Sequence, residues 1–106
     1  MIIGVLGIGM IGEAIKSSFE IYHDVVYFDP KVKKTRFENI LNSQIVFICV
    51  PTDQNKDGSC DVSIVDESLE KLKDQKYNGV IVVKSTVYAG YTKSRQILFP
   101  NLNICF

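Results

Sequence analysis

The chain is expected to fold as an α/β domain, a doubly wound parallel sheet with helices on both faces. Three observations carry that expectation. Apolar runs that read as strands alternate with stretches whose apolar residues recur at helical spacing. The connections between them are short, as in right-handed βαβ units. A turn punctuated by glycine, Gly7-x-Gly9-x-x-Gly12, directly follows the first apolar run.

Ile2 to Leu6 is the first strand. Ile11, Ala14, Ile15, Ser18, Phe19 and Tyr22 then share one helical face able to pack on a sheet. Val25-Val26-Tyr27-Phe28 supplies the strand formers of the second strand, between Asp24 and Asp29. A polar stretch with Lys31, Lys33, Lys34 and Arg36 leads to a short helical segment near Phe37 to Leu41. Ile45 to Val50 is the most continuous apolar run and reads as a central parallel strand, covered on both faces. Pro51 stops it, and Asp53 to Ser59 has the composition of a loop. Asp61 is the expected N-cap of a helix whose buried stripe is Val62, Val65, Leu69 and Leu72. Asn78-Gly79 turns the chain into the strand Val80 to Val83. A last helix runs from Gly90 or Tyr91 to Leu98, Pro100 breaks it, and Leu102 to Phe106 begins a fifth strand. Strand order 3-2-1-4-5 is the simplest layout that keeps the glycine turn at the switch point between strands one and four.

Composition narrows the function classes. At 106 residues the chain reads as one domain, long enough to bury roughly two thirds of its unfolded surface. Twelve basic and twelve acidic side chains cancel, so no global field favours nucleic acid or an anionic membrane. No apolar stretch approaches the roughly 18 residues of a membrane span, and the N-terminus lacks the layout of a secretion signal. A cytoplasmic location is the expectation. Cys49, Cys60 and Cys105 form no C-x-x-C pair, which argues against a disulfide framework or a metal knuckle. Cys49 reads as a small apolar filler and His23, the only histidine, as a turn residue. The strand at Asn103 to Phe106 looks cut short, which favours a piece of a longer polypeptide over a chain that borrows a partner to cover that edge.

In such a sheet ligands gather beyond the carboxyl ends of the strands. The unusual residues of this chain fall there: the glycine turn, Asp29, Val50-Pro51-Thr52 and Lys84-Ser85-Thr86. Gly7 permits the tight turn, Gly9 lets a pyrophosphate approach the bare backbone, and Gly12 lets the helix sit close to the first strand. The amides from Ile8 through Met10 to Ile11, with the helix dipole behind them, are expected to face the diphosphate. Asp29 can accept hydrogen bonds from the ribose hydroxyls and would repel a 2'-phosphate, which points to NAD. The basic run from Lys31 to Arg36 leaves NADP open, since such residues also serve a 2'-phosphate. Thr52, Ser85 and Thr86 offer hydroxyls where the nicotinamide half would lie, or simply cap the next helix.

Taken together, Gly7-Ile-Gly-Met-Ile-Gly12, Phe47-Ile-Cys-Val-Pro-Thr52, Gly58-Ser-Cys-Asp61-Val-Ser63 and Val83-Lys-Ser-Thr-Val87 resemble the N-terminal, Rossmann-type NAD-binding domain of the UDP-glucose/GDP-mannose 6-dehydrogenase family. The resemblance implies oxidation of a sugar C6 alcohol to a carboxylate by two hydride transfers to NAD, through a covalent intermediate on a cysteine. It implies that Asp29 and Lys34 hold the adenosine ribose, that Pro51, Thr52 and Ser85 line the nicotinamide side, and that Thr86 positions the water or the sugar hydroxyl. It also implies a homodimer and a sugar-nucleotide domain beyond these residues. The departures are the short span of seventeen residues from Asp29 to Val46, Asp53 after Val50-Pro51-Thr52, and Tyr88-Ala89 where the family carries proline. None of the three cysteines stands in the family's nucleophile motif, so the 106 residues alone are expected to be inactive. Two other readings stay open: the cofactor domain of a hydroxyacid-type NAD(P) dehydrogenase, and a non-catalytic NAD-sensing module.

Overall fold

A computed structural model describes residues 1–106. Five strands, β1 (Ile2–Leu6), β2 (Asp24–Phe28), β3 (Ile45–Ile48), β4 (Val80–Val83) and β5 (Asn103–Cys105), lie parallel in one sheet. Helices α1 (Met10–Phe19), α2 (Ser63–Asp74) and α3 (Tyr91–Leu98) connect them, and a single 3-10 turn, Phe37–Ile40, lies between β2 and β3. The expected class and sequence of elements are present, to within a residue or two at most ends.

The strand order corrects the expectation. It is 2-1-3-4-5, not 3-2-1-4-5. β3 pairs with β1 from Ile3↔Ile45 to Leu6↔Ile48, which places it at the centre of the sheet. Its own side chains require this, because Ile-Val-Phe-Ile is apolar on both faces and would leave one row in water at an edge. The half-buried β2 takes that edge instead. The switch point therefore falls between β1 and β3, and the glycine turn still stands at it.

Handedness then distributes the helices. The connection from β1 to β2 runs one way along the sheet, and the next three run the other way. Right-handed crossovers must put α1 on one face and the remaining connections on the opposite one. The main core lies on that second face, where Val65, Leu69, Leu72 and Tyr91 pack with Leu6, Val46, Ile48, Ile81, Val83 and Ile104. Asp66 on α2 ties α3 down: Arg95 donates to both of its carboxylate oxygens, at 2.6 and 3.0 Å, and the Tyr91 hydroxyl donates at 2.5 Å. Burial first, and the Asp66 carboxylate second, raise the Tyr91 phenol above its ordinary range.

The α1 face is thinner. Ile3 and Val5 are buried there, and Phe19 stacks on Phe47 with ring centres 5.5 Å apart. The expected α1 stripe is only partly used: Ile15 and Phe19 are half-buried, Ile11, Ala14 and Ser18 are exposed, and Tyr22 lies past the helix end. One helix spans about two strands of a five-stranded sheet. The far side of its stripe therefore borders an open groove of about 340 Å³ with Lys84.

Asp61 caps α2 as expected in kind, accepting from the Ser63 amide at 3.0 Å, although Val62 occupies the cap position itself. Leu69 is fully buried at the centre of the main core. Leu69→Ala is expected to cost about 2–5 kcal/mol, because the removed atoms leave a cavity that the packed sheet cannot close. Urea unfolding followed by circular dichroism checks it through the shift in midpoint.

Candidate cofactor site

At the end of β1 the backbone must leave the sheet within one residue. The Gly7 amide still donates to Phe28 O at 2.9 Å, and the Cys49 amide donates to Leu6 O at 2.7 Å. Between these two ladders the chain bends at Gly7 with φ +92°, where a Cβ would lie 2.7 Å from the Cys49 carbonyl oxygen. Both the backbone angle and the close approach demand glycine. Gly12 faces the same turn from inside α1, and a Cβ there would run into Gly7 O. Gly9 differs. Nothing stands within 4 Å of where its Cβ would be. Gly9 lines the cleft.

The cleft is a cavity of about 590 Å³, in the size range of cofactor sites. All four expected strand ends line it: Gly7 to Ile11 after β1, Asp29 and Lys31 after β2, Val50, Pro51 and Thr52 after β3, and Ser85 and Thr86 after β4. α1 begins at Met10 with Gly9 as its cap and no side chain satisfying its first amides. The first amides of a helix have no intrahelical partner, so this end of the cleft offers donors and a positive dipole to an anion.

Several residues take positions the sequence did not foretell. The Ile8 amide is not free for a ligand, since it donates to Asp29 Oδ2 at 2.8 Å. Gly12 lies buried under the turn and not on the cavity wall. Lys34 is exposed outside the cavity, and Lys31 lines it instead. The cause is local: Val32 N to Asp29 O and Thr35 N to Val32 O close successive turns, and Thr35 Oγ1 bonds back to Asp29, curling the segment. The Ser85 hydroxyl donates to Val50 O at 2.8 Å and is nearly buried, so it clamps the β4 end to the β3 end. Thr86 is exposed at the cavity, and its carbonyl oxygen accepts from the Cys60 thiol at 3.5 Å.

Sequence reasoning missed the second wall entirely. Phe37 from the 3-10 turn and Ile64, Glu67, Ser68 and Lys71 from α2 close the cleft beside Asp29. Phe37 meets Phe28 edge-on at 5.8 Å, and the Lys71 ammonium lies 5.6 Å from its ring centre. The available signal was the exposed side of α2, which becomes a wall only once β3 is central.

The arrangement is that of a dinucleotide-binding domain: bare backbone and helix amides at the switch point, a carboxylate on the neighbouring strand, hydroxyls beyond the next two. Residues 31–101 match the family model of the UDP-glucose/GDP-mannose dehydrogenase family, NAD binding domain. The chain belongs to that family, and its cofactor is NAD. The match begins two residues past Asp29, so the glycine turn and Asp29 enter on their geometry.

The chain is 36% identical over 73 residues to the uncharacterized protein MJ1054 of Methanocaldococcus jannaschii, covering 66% of this chain and 8% of that protein. Among solved structures it resembles a UDP-D-ManNAc dehydrogenase from Pyrococcus horikoshii, with TM-score 0.84, 19% identity, and coverage of 98% of this chain and 35% of that one. A UDP-glucose dehydrogenase from Pyrobaculum islandicum gives 0.79, 20%, 97% and 34%. A GDP-mannose dehydrogenase from Pseudomonas aeruginosa gives 0.75, 17%, 98% and 35%. At these identities the structures show a shared fold. The chain spans about a third of their length.

Cys49 also lines the cavity, and burial pushes its thiol up to about 11, partly offset by Lys84. It is therefore protonated throughout the neutral range, unlike an activated nucleophile. Iodoacetamide at pH 8 is expected to label the exposed Cys105 well before Cys49, with peptide mass spectrometry reading the order. Labelling of Cys49 should accelerate only as the pH climbs toward 11.

Proposed function

We propose that these residues form the cofactor half of a nucleotide-sugar 6-dehydrogenase, an enzyme that oxidises a sugar C6 alcohol to a carboxylate. One observation carries the reading: four strand ends converge on a single cavity lined by the uncapped start of α1 and by Thr86. Bound NAD would accept the hydrides, and water would supply the second carboxylate oxygen.

The chain's own residues would then divide the work. Gly9, Met10 and Ile11 present backbone to the diphosphate, with the α1 dipole adding roughly half a positive charge. Asp29 receives the ribose hydroxyls. Its two oxygens each accept one backbone N–H and retain further acceptor capacity. Phe37, Ile64 and Lys71 flank the adenine end. Pro51 and Thr52 shape the nicotinamide side, while Ser85 holds the β3 and β4 ends together so that Thr86 stands at a fixed distance from them. Thr86, exposed at the cavity, can orient a water or the sugar alcohol with its hydroxyl, and it is the catalytic residue we assign.

The thiol nucleophile, the sugar-nucleotide pocket and the surface of a homodimer would come from polypeptide outside these 106 residues. Neutral net charge and apolar lining suit a cytoplasmic enzyme acting on a small soluble substrate. The 106 residues alone should bind NAD and turn over nothing with UDP-glucose.

Gly9→Ala tests the site without disturbing the fold. The new methyl meets no protein atom, and Gly9, extended at φ −97°, lies outside the left-handed region that demands glycine. Thermal unfolding should be unchanged, while calorimetry should show NAD affinity falling about tenfold or more, the cost of a methyl against bound phosphate. Unchanged affinity in a folded Gly9→Ala protein would place the diphosphate elsewhere.

A further inference from the structure

The Asp29 carboxylate is tied to the glycine turn. Its Oδ2 accepts the Ile8 amide at 2.8 Å and its Oδ1 accepts the Lys31 amide at 2.9 Å. Its own backbone is held too, by Thr35 Oγ1 at 3.1 Å from its amide and 2.9 Å from its carbonyl. The ends of the turn it grips are held by Gly7 N to Phe28 O and Glu13 N to Gly9 O, each at 2.9 Å, and between them the Ile8 amide is held by Asp29. Gly7 sits at φ +92°, Gly9 touches nothing with a side chain, and no side chain caps α1. Ile8 lies between these two glycines, the two residues in the turn with the widest backbone freedom.

We propose that Asp29 is a positioning residue for the phosphate-binding turn, in addition to any contact with the ribose. By holding the Ile8 amide it fixes the plane of the Gly7–Ile8 peptide, and so aims the Gly9, Met10 and Ile11 amides at one point in the cleft. This rests on the cofactor reading above and adds to it a consequence for specificity. Replacing Asp29 to admit a 2'-phosphate would loosen the turn that binds the shared diphosphate, so that exchange alone would not convert the site to NADP.

The sign of one measurement separates positioning from simple ribose binding. 2',3'-Dideoxy-ADP carries the diphosphate but no hydroxyl for Asp29 to grip. If Asp29 acted only on hydroxyls, Asp29→Ala would leave its affinity unchanged or raise it, since a negative charge near phosphate is removed. Positioning predicts the opposite: a loss of about fivefold or more, the scale of one charge-assisted hydrogen bond, with partial recovery in Asp29→Asn, which keeps an oxygen for the Ile8 amide.

Hydrogen exchange of the ligand-free 106-residue chain gives an independent reading. The Ile8 amide should exchange at least about tenfold faster in Asp29→Ala, while amides of β1 and β3 keep their wild-type rates. Equal Ile8 exchange in wild type and Asp29→Ala, or a gain in dideoxy-ADP affinity, overturns the proposal. Should the alanine variant unfold, Asp29→Leu, which keeps the bulk and offers no acceptor, takes its place in both measurements. Failure of the wild-type chain to bind ADP at all would count against the cofactor reading, and the Ile8 exchange rate would still judge the tie.

Discussion

The approach of the Gly7 backbone to the Cys49 carbonyl is the constraint around which this domain is arranged. β1 and β3 are hydrogen-bonded neighbours up to their carboxyl ends, after which their chains must part in opposite directions. Only a residue without a side chain, in a left-handed conformation, can turn away so close to the next strand. The gap opened by that divergence is the cavity. Its floor is backbone, so an anion can come within hydrogen-bonding distance of helix amides that have no other partner.

The same divergence leaves the sheet unevenly dressed. Three connections pass over one face and build the main core, while α1 alone serves the other. Hydrophobic burial on the first face is dense, and the α2–α3 junction adds a paired carboxylate and guanidinium shielded by Tyr91. A bidentate pair, with the Arg95 guanidinium lying over the Tyr91 ring, holds geometry better than the single-contact Lys16–Glu20 and Lys73–Glu70 pairs. On the second face Val80 remains 41% exposed and Met10 91%. Stability and the site thus depend mainly on the α2 side, which is also the side that supplies the second wall of the cavity.

The β2–β3 connection is short. Its single 3-10 turn brings Phe37 within reach of Phe28 and Lys71. A compact aromatic and basic wall results beside Asp29. The curled segment from Asp29 to Thr35 turns Lys31 toward the cleft and Lys34 away from it. Short loops of this sort hold a ligand-facing residue by backbone hydrogen bonds and need little packing of their own.

Local patterns were enough to find every strand, the three helices and the four strand ends that meet at the cavity. Period and composition are properties of neighbouring residues, and Ile2 to Leu6, Val80 to Val83 and Tyr91 to Leu98 declare themselves in that way. The positions of Gly7, Gly9 and Asp29 at the cavity were legible because a short motif encodes the backbone geometry that puts them there. Which strand stands beside which was decided only in three dimensions: β3 took the centre because both its faces needed cover, a competition that no single segment records. For the same reason Phe37 and Lys71 became cavity walls, Ser85 became a clamp, and the Ile8 amide went to Asp29. Each of those outcomes depends on what the partner strand or helix places opposite, and hydrogen bonds between residues far apart in the chain leave no spacing to read.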